Sequence, residues 1–210
     1  MRWLSPLWRG RARGGPTLED LRRGGFIALD LEMTGLDSRR DSIVEVAVVR
    51  VAESRPVESY VTLVKPPITI PADTVRIHGI TDAAVASAPG IAVVLERLDA
   101  FVGDRLIVGH GIAFDMAALS RARRAVGWPA ASNPTLCTQR LATVLHPEWV
   151  PHDLDAVALR LGLGIVGRHT AEGDALAAAS VFLGLIDAAA MRGAHTLADL
   201  TWLQDSASPR

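Results

Sequence analysis

One cysteine, Cys137, stands in 210 residues. No disulfide can form within the chain, and a reducing compartment, the cytoplasm, is implied. Lysine is just as scarce, with Lys65 alone among 22 basic residues; like the abundance of alanine, this reads as coding bias rather than mechanism. The formal net charge of −1 excludes a long nucleic-acid tract held by bulk charge. It leaves room for a small site that grips the end of a strand. No run is apolar for long enough to span a membrane, and Pro6, Arg9 and nearby glycines break up any secretory signal. Internal repeats and low-complexity tracts are also absent.

What is present is the material for a core. Hydrophobic residues make up 49% of the chain, enough for one substantial domain. The first fourteen residues hold four arginines and no acid. They begin an expected basic arm over 1–23, either flexible or in contact with phosphates or a partner. β-Branched runs at 26–32, 42–51 and 57–65, with short connections, predict an antiparallel meander. Pro66, Pro67 and Pro71 keep 65–71 irregular. From residue 81 the period lengthens, and short strands at "RLIVGH" and "NPTLCT" alternate with helices. These patterns predict one α/β domain over 24–190, a mixed sheet of five strands covered by helices, and a short extension over 191–210.

The stretch "FIALDLEMTGLD" carries two acids in an apolar run. On a strand, alternation turns Asp30 and Glu32 to one face, roughly 7 Å apart along the chain, with Leu29 and Leu31 on the other. Two like charges on a half-buried strand cost free energy unless positive charge sits between them. Further acids fall at element boundaries. "VGHGIAFD" sets His110 and Asp115 where an apolar strand gives way to a helix, a usual place for ligand sites. Alone, Asp115 also suits the dipole of a helix start. In "GRHTAEGDA", Thr170 is a natural N-cap, which leaves His169 in the preceding loop and Asp174 inside the helix. A mobile histidine beside a fixed carboxylate suits a general base next to a metal ligand. Hard oxygen donors without cysteine favour Mg²⁺ or Mn²⁺, and two such ions serve phosphodiester displacement.

"DLEMTG", "GHGIAFD" and "HTAEGDA", in this order, resemble the three motifs of the DEDDh class of 3′→5′ exonucleases. That class includes the proofreading ε-subunits of bacterial replicative DNA polymerase, ribonuclease T and oligoribonuclease. "RIHGIT" at 76–81 and "HDLDAVALRLGL" at 152–163 are similar to segments around those motifs. The resemblance implies a ribonuclease-H-like fold and metal-dependent hydrolysis from the 3′ end that releases nucleoside 5′-monophosphates. Asp30, Glu32, Asp115 and Asp174 would hold two Mg²⁺ or Mn²⁺ ions, with Asp30 bridging both. His169 would be the general base. Met33, Thr34, Gly35 and His78 would lie against the terminal nucleotide. Three positions depart from the family pattern: Met33 where threonine is common, Gly111 where asparagine is frequent, and Cys137 where aspartate often stands. None removes a ligand or the base.

The substrate so implied is the 3′ end of a single strand, DNA first and RNA or short oligonucleotides as the alternative. A DNA polymerase or another replication or repair protein is the implied partner, with homo-oligomers left open. A non-catalytic module that holds 3′ ends is the rival from another class. Arg39 and Arg40 are candidates for phosphate contact, whereas Arg121, Arg123 and Arg124 read as a solvated helix face.

Overall fold

Valine- and isoleucine-rich runs form the strands, and alanine- and leucine-rich runs the helices, as their side-chain rotamers favour. The computed structural model describes residues 15–207. Its first half runs α1 (Leu18–Gly24), β1 (Phe26–Met33), β2 (Ile43–Ala52), β3 (Arg55–Leu63), α2 (Ala72–His78), α3 (Asp82–Val85) and α4 (Ile91–Val102). The second runs β4 (Ile107–Gly109), α5 (Ala113–Ala125), β5 (Thr135–Cys137), α6 (Thr138–Leu145), α7 (Leu154–Arg160), α8 (Ala171–Met191) and α9 (Leu197–Ser206). The sheet order is β3-β2-β1-β4-β5. Pairs β1–β2 and β2–β3 are antiparallel, and β1–β4 and β4–β5 parallel, so the expected meander plus parallel strands is present. Helix α2 was not expected. It is one short stretch between Pro71 and the left-handed Gly79, too brief to impose a period on the sequence.

Alternation along β1 sorts its side chains into two layers. Phe26 and Ala28 face the core shared with α1, α6, α7, α8 and α9, while Ile27, Leu29, Leu31 and Met33 face the core under α4 and α5. Phe26 meets Phe182 of α8 edge-on, with ring centroids 4.9 Å apart. The 21-residue α8 is long and apolar enough to cross a membrane by length and composition. That corrects the expectation that no run is long enough. Most of its apolar residues, among them Val181, Phe182, Leu185 and Ile186, are buried on the sheet, while Met191 at its end is exposed.

Leu18 and Leu21 of α1 and Leu200 and Leu203 of α9 belong to the same core, on either side of the expected 24–190 span. Of the expected arm, residues 1–14 lie outside the described residues. Of the α5 arginines expected on a solvated face, only Arg124 is exposed. Arg123 is buried and donates to Asp99 at 2.6 Å, and Arg121 donates to the Ser38 carbonyl at 3.1 Å.

The outer edge of β5 is closed by a side chain. Gln204 of α9 donates from Nε2 to the Thr135 carbonyl at 3.0 Å and accepts the Cys137 N–H at 2.8 Å. Its amide thus stands where a neighbouring strand would pair. Replacing it with leucine should leave two backbone groups unpaired and lower stability by about 1–3 kcal/mol. Urea unfolding of Gln204→Leu checks this: the midpoint should fall at constant slope, and an unchanged midpoint would refute it.

Candidate active site

The site begins where the parallel ladder ends. β4 pairs with β1 only at Ile27 and Ala28 and stops at Gly109. A Cβ there would lie 2.9 Å from the Leu29 carbonyl oxygen and 2.5 Å from Ile112 Cδ1. Past this point β1 continues without a strand on that side. The Asp115 carboxylate, in the first turn of α5, takes the place of one by accepting the Leu31 N–H together with its own amide.

On the other face, β1 changes from apolar to acidic. Asp30 and Glu32 follow Phe26 and Ala28, and Asp174 reaches them from the first turn of α8. Each of the three brings a carboxylate oxygen within 4.8 Å of the others. Thr170 caps α8 as expected, accepting the Gly173 N–H at 3.1 Å. Gly173 has no room for a side chain, since a Cβ would lie 2.0 Å from the Gly167 carbonyl oxygen. The loop before α8 therefore rests directly on the helix start.

Burial and mutual repulsion shift these acids. Burial, then the charges of Asp115, Asp174 and Glu32, hold the Asp30 carboxyl well above the ordinary range. Glu32 is pushed up to about 7 by burial, then by Asp174 and Glu45. Asp115 is pushed up to about 8, chiefly by burial, although the two amides oppose the shift. Arg168 is the cation that counters Asp30 and Glu32. Its Nε donates to Asp155 at 2.8 Å and its Nη1 to Oδ2 of Asp174. The other oxygen of Asp174, Oδ1, is buried without a partner among the described residues. A buried bare carboxylate oxygen among like charges, in an all-oxygen donor set, fits a hard divalent cation.

Other expected residues fall at different distances from this centre. His169 is exposed and left-handed at φ 61°. It forms position three of a turn closed by the Thr170 N–H on the Gly167 carbonyl at 3.1 Å, a position where glycine or asparagine is usual. His78 is half-buried. Its Nδ1 accepts the Ile80 N–H at 3.0 Å, and it lies close enough to feel the charge of Glu45. The Met33 side chain is buried in the core, and the Thr34 hydroxyl is buried within its loop, accepting the Ser42 N–H at 2.9 Å. Gly35 leaves space that the Asp41 carboxylate fills, 2.4 Å from where a Cβ would stand.

Sequence reasoning missed Arg168, Glu45 and Asp155. Glu45 is directly across from Glu32 in the β1–β2 register and accepts the Ala171 N–H at 3.0 Å. A lone acid in the run "SIVEVAVVRV" was the available signal. His110, singled out beside Asp115, is a strut. Its ring bridges Thr138 Oγ1 at 2.9 Å and the His152 carbonyl at 3.0 Å, and burial lowers it to about 4. The neutral ring then carries its proton on Nε2, facing the carbonyl.

A family model described as Exonuclease matches residues 27–182. The chain is 32% identical over 169 residues to the DNA polymerase III subunit epsilon of Aquifex aeolicus, covering 80% of this chain and 84% of that one. It is 41% identical over 176 residues to a DNA polymerase III subunit epsilon-like protein of Rhodobacter capsulatus, across 81% of this chain but only 25% of the relative. Among solved structures, Exonuclease X in complex with 5′ overhanging duplex DNA superposes with a TM-score of 0.65 at 25% identity, over 85% of this chain and 98% of that one. Exonuclease I of E. coli with a dT13 oligonucleotide gives 0.67 at 19% identity, over 76% and 40% of the two chains. The shared architecture is the ribonuclease-H-like one.

The raised carboxyls make stability depend on pH. Between the ordinary values of 3.8 and 4.5 and the shifted values of about 8 and about 7, the folded chain binds more protons than the unfolded one. Metal-free stability should therefore fall as pH rises from about 4 to about 8. Thermal melts in EDTA should show this, and Asp115→Asn should flatten it. A melting temperature that rises over this range would refute the assignment.

Proposed function

Because the chain belongs to the exonuclease family, we propose that it is a metal-dependent 3′→5′ exonuclease acting on single-stranded nucleic acid, DNA first. The observation that carries this reading is the convergence of Asp30, Glu32 and Asp174, with Asp115 close by and one buried oxygen of Asp174 bare. Asp30, Glu32, Asp115 and Asp174 would hold two Mg²⁺ or Mn²⁺ ions. When bound, such a pair activates a water and stabilises the leaving oxygen of a phosphodiester. His169 takes the proton from the attacking water, and its exposed turn lets it approach the substrate. The bond broken joins phosphorus to the 3′ oxygen of the preceding nucleotide. That oxygen leaves with a proton from solvent, and a nucleoside 5′-monophosphate is released.

At the rim, the backbone around Met33 and Gly35 and the His78 ring receive the terminal nucleotide. Leu36, 88% exposed, offers an apolar surface to a base. The buried Thr34 side chain acts by shaping the loop. DNA is favoured because the Aquifex relative is a DNA polymerase III subunit and the solved neighbours hold DNA. A polymerase is the corresponding partner, and the single buried cysteine suits the cytoplasm. The nuclease unit spans about residues 24–190.

The test is a gel assay on 3′- and 5′-labelled single-stranded DNA and RNA, with Mg²⁺, Mn²⁺ or EDTA. Shortening from the 3′ end should require metal, stop in Asp174→Ala, and slow by about 10²-fold or more in His169→Ala. Tight 3′-end binding without shortening would replace this reading with that of a binding module. Faster cleavage of RNA would move the substrate to RNA.

A further inference from the structure

Among the described residues, the His169 side chain has no hydrogen bond of its own. Its direction depends on the turn that carries it. That turn is pinned at one end to α8, where the Thr170 hydroxyl donates to the Gly167 carbonyl at 2.7 Å and the Thr170 N–H donates to the same oxygen at 3.1 Å. The other anchor is Arg168, next to the histidine in sequence. Its guanidinium spans two carboxylates on separate helices, Asp155 of α7 through Nε at 2.8 Å and Asp174 of α8 through Nη1. Asp155 is not one of the three converging acids, so its carboxylate is free to serve the arginine.

We propose that Asp155, through Arg168, is a positioning residue that holds the His169 turn over the acidic cluster. The idea rests on the nuclease reading in so far as His169 is the base. A guanidinium fork fixes direction as well as distance at both carboxylates, which a single ammonium does not. The pair is partly exposed, with the side chains of Arg168 and Asp155 28% and 60% accessible. Such pairs add little to stability, and so the contribution is one of geometry. Misplacing a reacting group by about 1 Å costs on the order of 10²-fold in rate.

The experiment is a double-mutant cycle on the full chain, with kcat and KM on 3′-labelled single-stranded DNA in Mg²⁺. Asp155→Ala should lower kcat by about 10²-fold at unchanged KM and melting temperature. In the His169→Ala background the same change should have no further effect, because the two act through one group. Arg168→Lys should lower kcat likewise, because a single ammonium does not span both carboxylates. An unchanged kcat in Asp155→Ala, or an equal loss in both backgrounds, overturns the proposal. Should the unmutated chain cleave nothing, the nuclease reading fails separately. The latch is then read from the His169 imidazole resonance, identified by its loss in His169→Ala. Because the Asp155 charge itself reaches His169 and His110, a shift alone decides nothing. Broadening or altered relaxation of the His169 resonance in both Asp155→Ala and Arg168→Lys supports the latch, and unaltered relaxation in either refutes it.

Discussion

Carboxylates crowd together where the two apolar layers of the sheet end, and Arg168 is the cation set among them. Repulsion between charges grows as water is excluded, so each acid needs some local relief. Asp115 finds it in the Leu31 amide, Glu45 in the first amide of α8, and Asp174 in the Arg168 guanidinium. Asp30, at the centre, is reached by Arg168 only through space. The fold thus leaves its strongest deficit of positive charge at one point, at the end of the middle strand. The turn, the helix caps and the glycine contacts are arranged around that point.

How much of this was legible depends on the range of the interaction. Alternation within β1 was enough to put Asp30 and Glu32 on one face, because a strand's period is local. Thr170 as a cap, and therefore His169 outside α8 and Asp174 inside it, followed from short-range helix chemistry. The pairing of Glu32 with Glu45 was not legible, because it depends on the register between two strands. The same holds for Arg168, whose partners lie on two helices, and for Gln204, which acts across more than sixty positions of chain. Thr34 was expected against the terminal nucleotide, yet its hydroxyl is consumed by the backbone of Ser42. In each case a side chain was used by something distant in sequence.

Helix α8 links the site to the core. Ala171, Ala175 and Ala178 are buried, and their small side chains let the helix lie close to the strands. Phe182 and Leu185 then secure it lower down, against the layer that contains Phe26. Asp174 is on the same rigid rod, so its distance from Asp30 is set by the packing of apolar groups far from any charge. A rod fixed in this way gives the acids little freedom to move apart in response to their repulsion.

The contact between Gly173 and the Gly167 carbonyl has a metric consequence. Backbone rests on backbone there, with no side chain to yield, so the number of residues from Gly167 to Asp174 is a fixed gauge. Adding or deleting one would lift the turn off the helix and rotate the histidine away. Upstream the constraint is looser: Gly162 and Gly164 have nothing near their Cβ positions, although Leu163 and Ile165 pack against the core and the Val166 carbonyl oxygen also lies 2.7 Å from the Gly173 Cβ position. Natural variation in loop size should therefore collect around Gly162 and Gly164 and stop before Val166.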